Sequence, residues 1–320
     1  MDAFWSMLTN VLLFVALALP GLILVKTKVL KPEDSGVLSK LLIWVGMPFM
    51  ILSYALDLEL GGDTAISFLV AFVIGIAYVL IYFFASNPLS KMEKNEKTRG
   101  VMRFALVFPN NGFLGLPLAA AVFSGFENSA EIIGLLVVMN TACNLLMYTL
   151  GTYLVSGDKS AMDVKKALLN PVLIAFILGI VLNLLGVKEH VPQVVDYSVH
   201  LKNMVTPISM TILGMKLGGI KFTSLFTSWK NYFVSAIRLV VFPVVVVGLV
   251  YLCSSLFSLG QAMVFAAFVS VSMPCSGSTS AFADAYDGDS DSAVAFTLAS
   301  TVLSVASIPL LYGLLCWIVG

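Results

Sequence analysis

Apolar and polar positions fall along this chain in long blocks rather than at amphipathic helix or strand spacing. Runs of about 17–25 apolar residues recur, and each is long enough to cross a hydrocarbon core as one helix. Ten such blocks can be read, near residues 4–25, 36–57, 66–86, 99–124, 130–155, 168–187, 193–216, 230–254, 260–284 and 292–319. The polar stretches between them are short, the longest near 87–98 and 156–167. The pattern predicts an all-α polytopic membrane protein of ten transmembrane helices. Within these 320 residues it leaves no room for a soluble catalytic or signalling domain.

Two blocks are interrupted. The fourth carries Phe108-Pro109-Asn110-Asn111-Gly112-Phe113-Leu114-Gly115-Leu116-Pro117. Proline removes a backbone donor and glycine loosens a helix. The asparagines add amide groups that hydrocarbon cannot satisfy. Irregular backbone at membrane depth is tolerated where it is buried in protein or lines a watery cavity. The ninth block carries Pro274-Cys275-Ser276-Gly277, followed by Ser278 and Thr279. Broken helices of this kind mark the binding sites of secondary transporters.

The interruptions belong to an internal echo. Block two holds Met47-Pro48-Phe49 and closes on Glu59-Leu60-Gly61-Gly62; block seven holds Thr206-Pro207-Ile208 and closes on Lys216-Leu217-Gly218-Gly219. Blocks four and nine share Pro-x-x-Gly. These are positions two and four of two five-helix halves, residues 1–157 and 158–320. An odd number of spans inserts the second half upside-down, so two inverted five-helix repeats are expected, with broken crossover helices 4 and 9. Each break exposes a half-helix N-terminus with unpaired N–H groups and partial positive charge. Two such ends suit an anion such as a carboxylate. Pro109, Asn110, Asn111 and Gly112, with Pro274, Ser276, Gly277, Ser278 and Thr279, are the substrate-binding candidates. The alternative is that Pro and Gly only kink packed helices while the hydroxyls bond to their own backbone.

Composition and charge narrow the picture. The chain is 59% hydrophobic and 11% charged, with mean hydropathy +0.98, against about 25% charged residues in soluble domains. A net charge of zero gives no footprint for nucleic acid. Lysines and arginines gather in the odd-numbered loops: Lys26, Lys28, Lys31 and Lys40; Lys91, Lys94, Lys97 and Arg99; Lys159, Lys165 and Lys166; Lys216, Lys221 and Lys230. The positive-inside rule places these loops in the cytoplasm and both termini outside. The ninth loop departs, with Asp284, Asp287, Asp289 and Asp291 and no base. Asp2 and an apolar run reaching Val25 argue against a cleaved signal peptide.

Ionisable or amide groups inside spans are functional candidates. Arg238, in block eight, either serves an anion or a gating ion pair, or snorkels to the interface near Lys230. Arg103 and Lys216, near predicted cytoplasmic ends, read as interface anchors. Asn140 and Asn144, one turn apart, either face the crossover or join packed helices. Cys143, Cys253, Cys275 and Cys316 show no metal-ligand spacing and read as small buried residues. No nucleotide-binding motif is present, and no cofactor or metal is expected.

The run Asn111-Gly112-Phe113-Leu114-Gly115-Leu116-Pro117, with Pro109, Asn110, Arg238, Pro243 and Pro274, resembles the auxin efflux carrier family. That family contains the plant PIN-formed and PIN-like exporters and many bacterial permeases. The resemblance covers nearly the whole chain. It implies ten spans in inverted repeats, a crossover at Pro109 and Pro274, and a transport domain moving elevator-like against a scaffold. It also implies small organic acids as substrates and, in many members, a homodimer. The long central hydrophilic loop of the plant exporters is absent, which marks the compact bacterial type. The plant supporting site near spans 2 and 3 is not evident; Asp57, Glu59 and Asp63 sit on the outer side instead.

The expected function is thus a multi-pass cell-membrane carrier for small organic anions. A sodium-coupled symporter of related architecture is the alternative, although acids in the core are sparse apart from Asp284. An intramembrane hydrolase using Ser276 or Ser278 would need a base in reach, and His190 and His200 both fall near the outer face. A receptor would normally carry an appended signalling domain.

Overall fold

The computed structural model of the chain describes residues 16–158, 169–219, 228–257 and 260–319, together with Thr9, Leu13, Ser160 and Lys165. Most of the first apolar block before residue 16 lies outside them, as do Lys159, Lys166 and Lys221. Among the described residues the regular structure is helical, and the β-type pairing is a single isolated bridge. The helices are α1 (Leu19–Lys26), α2 (Pro32–Leu56), α3 (Gly62–Leu89), α4 (Glu96–Val107), α5 (Asn111–Val122), α6 (Ser129–Ser156) and α7 (Pro171–Leu184). They continue with α8 (Pro192–Asn203), α9 (Val205–Gly218), α10 (Trp229–Cys253), α11 (Gln261–Ser272), α12 (Thr279–Ala285) and α13 (Ser290–Val319).

Helices α2, α3, α6, α10 and α13 are long and apolar enough to cross a membrane, and α5, α7 and α11 are shorter apolar helices. Blocks four and nine are each divided between two helices, α4 with α5 and α11 with α12. Block seven also divides, at Met204 between α8 and α9. Side chains set several starts. Asn95 caps α4, its Oδ1 accepting from the N–H groups of Lys97 and Thr98, and Glu96 lies in the first turn. Asn170 caps α7 in the same way, with Pro171 at the first helical position.

Packing falls into two groups. In the first, α1 packs on α9, and α7 and α8 pack on α2. In the second, α3 packs on α6, α6 and α10 on α11, and α13 on α4, α10 and α12. Fewer contacts join the groups, chiefly α2 with α6 and α5 with α9. Small residues permit the closest crossings, as in membrane helix pairs generally. At Gly21 an added Cβ would lie 2.0 Å from the Thr211 carbonyl oxygen, and at Gly179 one would lie 2.5 Å from the Ala55 Cβ.

At the ends of the second group, charges tie loops to helices. Lys97 pairs with Asp287 at 2.6 Å, and the Thr98 hydroxyl donates to Asp289 at 2.6 Å. The acidic ninth loop is thus fastened to the start of α4. Asp284 accepts from the Ser290 hydroxyl. Glu93, in the turn before α4, is buried and accepts from Lys230 at the start of α10. The Lys230 ammonium, then the Asn95 N–H, hold the Glu93 carboxyl below its ordinary value of 4.5. A depressed carboxylate pKa contributes stability that is full above the unfolded value and is lost as pH falls through the folded one. The melting temperature of the wild type should therefore fall on acidification below about pH 4.5 more than that of Glu93→Gln. Melting curves of both proteins from pH 7 to 3 test this, and parallel curves would remove the pair from the acid response.

Candidate functional site

α4 ends at Val107 and the chain turns extended at Phe108 (φ −101°, ψ 117°); α11 ends at Ser272 and Met273 is extended (φ −70°, ψ 148°). The two stretches run antiparallel. The Asn110 N–H donates to the Pro274 carbonyl and the Ser276 N–H to the Phe108 carbonyl, each at 2.9 Å. Pro109 therefore faces Cys275. Neither hydrogen bond uses the nitrogen of Pro109 or Pro274, so the missing donors cost nothing here. The Cys275 N–H is taken by the Ser300 hydroxyl at 3.1 Å. The Asn110 carbonyl accepts from the N–H groups of Leu114 and Gly115 at the start of α5.

The asparagines diverge. Asn111 is buried, and its Nδ2 donates to the Tyr78 hydroxyl at 3.2 Å and to the Ser270 hydroxyl at 2.9 Å. Its Oδ1 has no partner among the described residues. Asn110 is half-buried and lies beside Gly277, where an added Cβ would come within 3.7 Å of its amide nitrogen.

Asn110, Gly277 and Ser278 share a cavity of about 280 Å³ with Ser209 and Lys216 of α9 and Thr297 and Thr301 of α13. Its remaining wall is largely apolar, including Ile43, Phe113, Met210, Leu213 and Leu298. Most of its hydroxyls donate to main chain: Ser209 to the Phe113 carbonyl, Thr297 weakly to Ser276 (3.4 Å) and Thr301 to Thr297 (2.7 Å). The Asn110 amide, the Ser278 hydroxyl and the Lys216 ammonium make no such bond among the described residues.

The other sequence candidates are placed elsewhere. Ser276 and Thr279 stabilise the turn itself: the Ser276 hydroxyl accepts from the Ser278 N–H at 3.2 Å and the Thr279 hydroxyl donates to the Ser276 carbonyl at 2.7 Å. Gly112 packs against Met47, and Asn140 and Asn144 of α6 do not line the cavity. Arg238 is fully buried rather than snorkelling. Its Nε donates to the Met273 carbonyl at 3.2 Å, and its terminal nitrogens to Val271 at 3.3 Å and Leu106 at 3.5 Å. Its guanidinium also lies over the Tyr82 ring, 5.1 Å from the centroid. The arginine thus joins the C-terminal ends of α4 and α11 and does not line the cavity. Arg103 is half-buried, with Nε donating to the Ser86 hydroxyl at 3.3 Å. Of the four free cysteines, Cys143 and Cys275 are buried, but Cys253 is exposed, which corrects the expectation that all four are interior. No group of acids, histidines or cysteines among the described residues is placed to hold a metal.

The cavity residues Ser39, Ser209, Thr297 and Thr301 are not among the sequence candidates. Thr297 and Thr301 resemble ordinary polar interruptions of an apolar span. Lys216 passes for an anchor. Its one visible signal is that no acid stands three or four positions away on α9 to pair with it.

An uncharacterized transporter from Methanothermobacter thermautotrophicus is 29% identical over 309 residues, spanning 94% of this chain and 96% of its own length. The profile of the membrane transport protein family matches residues 6–312. With that match over nearly the whole chain, the protein belongs to this membrane transport family, that of the auxin efflux carriers.

Proposed function

We propose that the protein is a secondary carrier for small organic anions, which bind in the cavity beside the paired extended segments. The observation that carries this is the set of unused donors, Asn110, Ser278 and Lys216, on one otherwise apolar cavity. Ligand sites have this composition, apolar walls with a few convergent polar groups. An ionised carboxylate accepts several hydrogen bonds.

The reading includes ten spans in two inverted halves, residues 1–157 and 158–320, with both termini outside the cell membrane. Support comes from the exchange of packing partners. If span one corresponds to span six, the α1–α9 contact corresponds to α7–α2 and the α3–α6 contact to α10–α13. Gly21 and Gly179, at the close approaches of α1 and α7, correspond likewise. The two packing groups would be a scaffold and a transport body, the parts of an elevator. Whether two copies associate through the scaffold is a further part of the reading.

A sodium-coupled mechanism would use carbonyl oxygens at the half-helix ends as ion ligands. Arg238 already donates to three such carbonyls. Carboxylate uptake into proteoliposomes should therefore persist when choline replaces sodium. Asn110→Ala should weaken uptake by about 10–100-fold, the loss of one hydrogen bond to a charged group, with the melting temperature unchanged. Wild-type rates in folded Asn110→Ala would reject the site, and a sodium requirement would favour the symporter.

A further inference from the structure

Lys216 is exposed and lines the cavity, two residues before the end of α9. Among the described residues it is the one charged residue of the lining, and no acid lines the cavity with it. Several other bases are engaged: Lys97 with Asp287, Lys188 with Asp57, Lys230 with Glu93, Lys202 over the Tyr54 ring, and Arg238 with main-chain carbonyls. Lys216 makes no ion pair or hydrogen bond among the described residues.

We propose that Lys216 is the charge-pairing residue of this cavity and that it limits the ligand to one carboxylate on an apolar body. The proposal rests on the cavity being the transport site. The described lining offers one ammonium, one amide and one hydroxyl that are not otherwise engaged, the donor types from which a single carboxylate accepts. A second carboxylate in the cavity would meet Ile43, Leu213 and Leu298, with no second cation among the described residues. Burying an unpaired charge against apolar wall is strongly unfavourable. The neutral analogue of the same shape would leave Lys216 unpaired, so it too binds less well. Lys216 thus selects for charge, while the apolar wall selects for the body.

The competing role is an interface anchor, which would stabilise insertion without touching ligand. Thermal shifts in detergent separate the two. The probes are hexanoate, its dicarboxylate counterpart adipate, and the neutral hexanamide, accompanied by valerate, octanoate and benzoate to cover body size. In the wild type a monocarboxylate should raise the melting temperature more than adipate or hexanamide does. Lys216→Met should melt like the wild type without ligand, because Lys216 has no partner to lose, but should no longer distinguish hexanoate from hexanamide. Lys216→Arg should keep the distinction. Asn110→Ala should lose the shift for every probe.

Three results would overturn the proposal. If Lys216→Met keeps the wild-type preference while Asn110→Ala loses the shifts, the site stands and Lys216 is only an anchor. If adipate outranks every monocarboxylate in the wild type, the limit to one carboxylate is wrong. If no acid shifts the wild type, the cavity is not the transport site and the proposal falls with it.

Discussion

Replacing Arg238 by methionine should cost the protein about 3–5 kcal/mol of stability, the range for removing one member of a buried charged network. The guanidinium is fully buried and its bonds go to the Met273, Val271 and Leu106 carbonyls. These carbonyls lie at or next to the ends of α4 and α11, where the last turn has no intrahelical donors and the helix dipole is negative. Methionine fills similar volume but donates nothing. Leaving buried carbonyls without partners costs about 1–3 kcal/mol each, and the bonds here are long, at 3.2–3.5 Å. Apolar replacement of a buried ion pair is sometimes harmless because both partners can be removed together. That route is closed here, since the acceptors are backbone. Lysine keeps the charge but presents a point donor instead of a fork, so Arg238→Lys should fall between. Melting temperatures of the detergent-purified variants test the order, and a wild-type melting temperature for Arg238→Met would dismiss the brace.

The same residue shows where sequence reading stops. A basic side chain in an apolar span is legible as important, but its partners are carbonyls, which every residue has and no sequence pattern advertises. The helical, membrane-crossing character is legible because block length alone fixes it: α2, α3, α6, α10 and α13 each cover most or all of one predicted block and begin a few residues before it. The ends of α4 and α11 are legible because Pro109 and Pro274 cannot continue a helix. The opposite placement of Asn110 and Asn111 is not. It depends on the backbone resuming helical geometry at Asn111, which directs one amide to Tyr78 and Ser270 and leaves the other beside Gly277. Lys216 is ambiguous in the sequence for a related reason. A lysine near a span end is usually an anchor, and only the packing of α9 against α5 and α2 encloses a cavity beside it.

Gly214→Leu should prevent α1 from docking on α9, with a loss of folded protein comparable to that of Arg238→Met. A Cβ at position 214 would lie 1.8 Å from the Ala18 carbonyl oxygen and 2.8 Å from the Leu22 nitrogen. Both atoms are backbone, so no rotamer change relieves the contact; the helices must separate. Opening the crossing forfeits close packing at Gly21 and Gly218, which also face the opposite helix. Overpacking a rigid contact costs about 1–3 kcal/mol for one methylene and more for a larger group, so Gly214→Ala should be milder than leucine. Gly248→Ala, with nothing within 4 Å, is the matched control and should be tolerated. Gly214 stands two positions before Lys216, on the helix that also supplies Ser209 to the cavity. The folded fraction of Gly214→Ala should therefore show a displaced cavity wall as well, read as a weaker thermal shift by monocarboxylates than in Gly248→Ala. Equal folding yields and equal ligand shifts in the two alanine variants would mean that α9 is not held in register by α1. If the shift weakens while the yield holds, the small-residue crossing positions Lys216 more than it stabilises the fold.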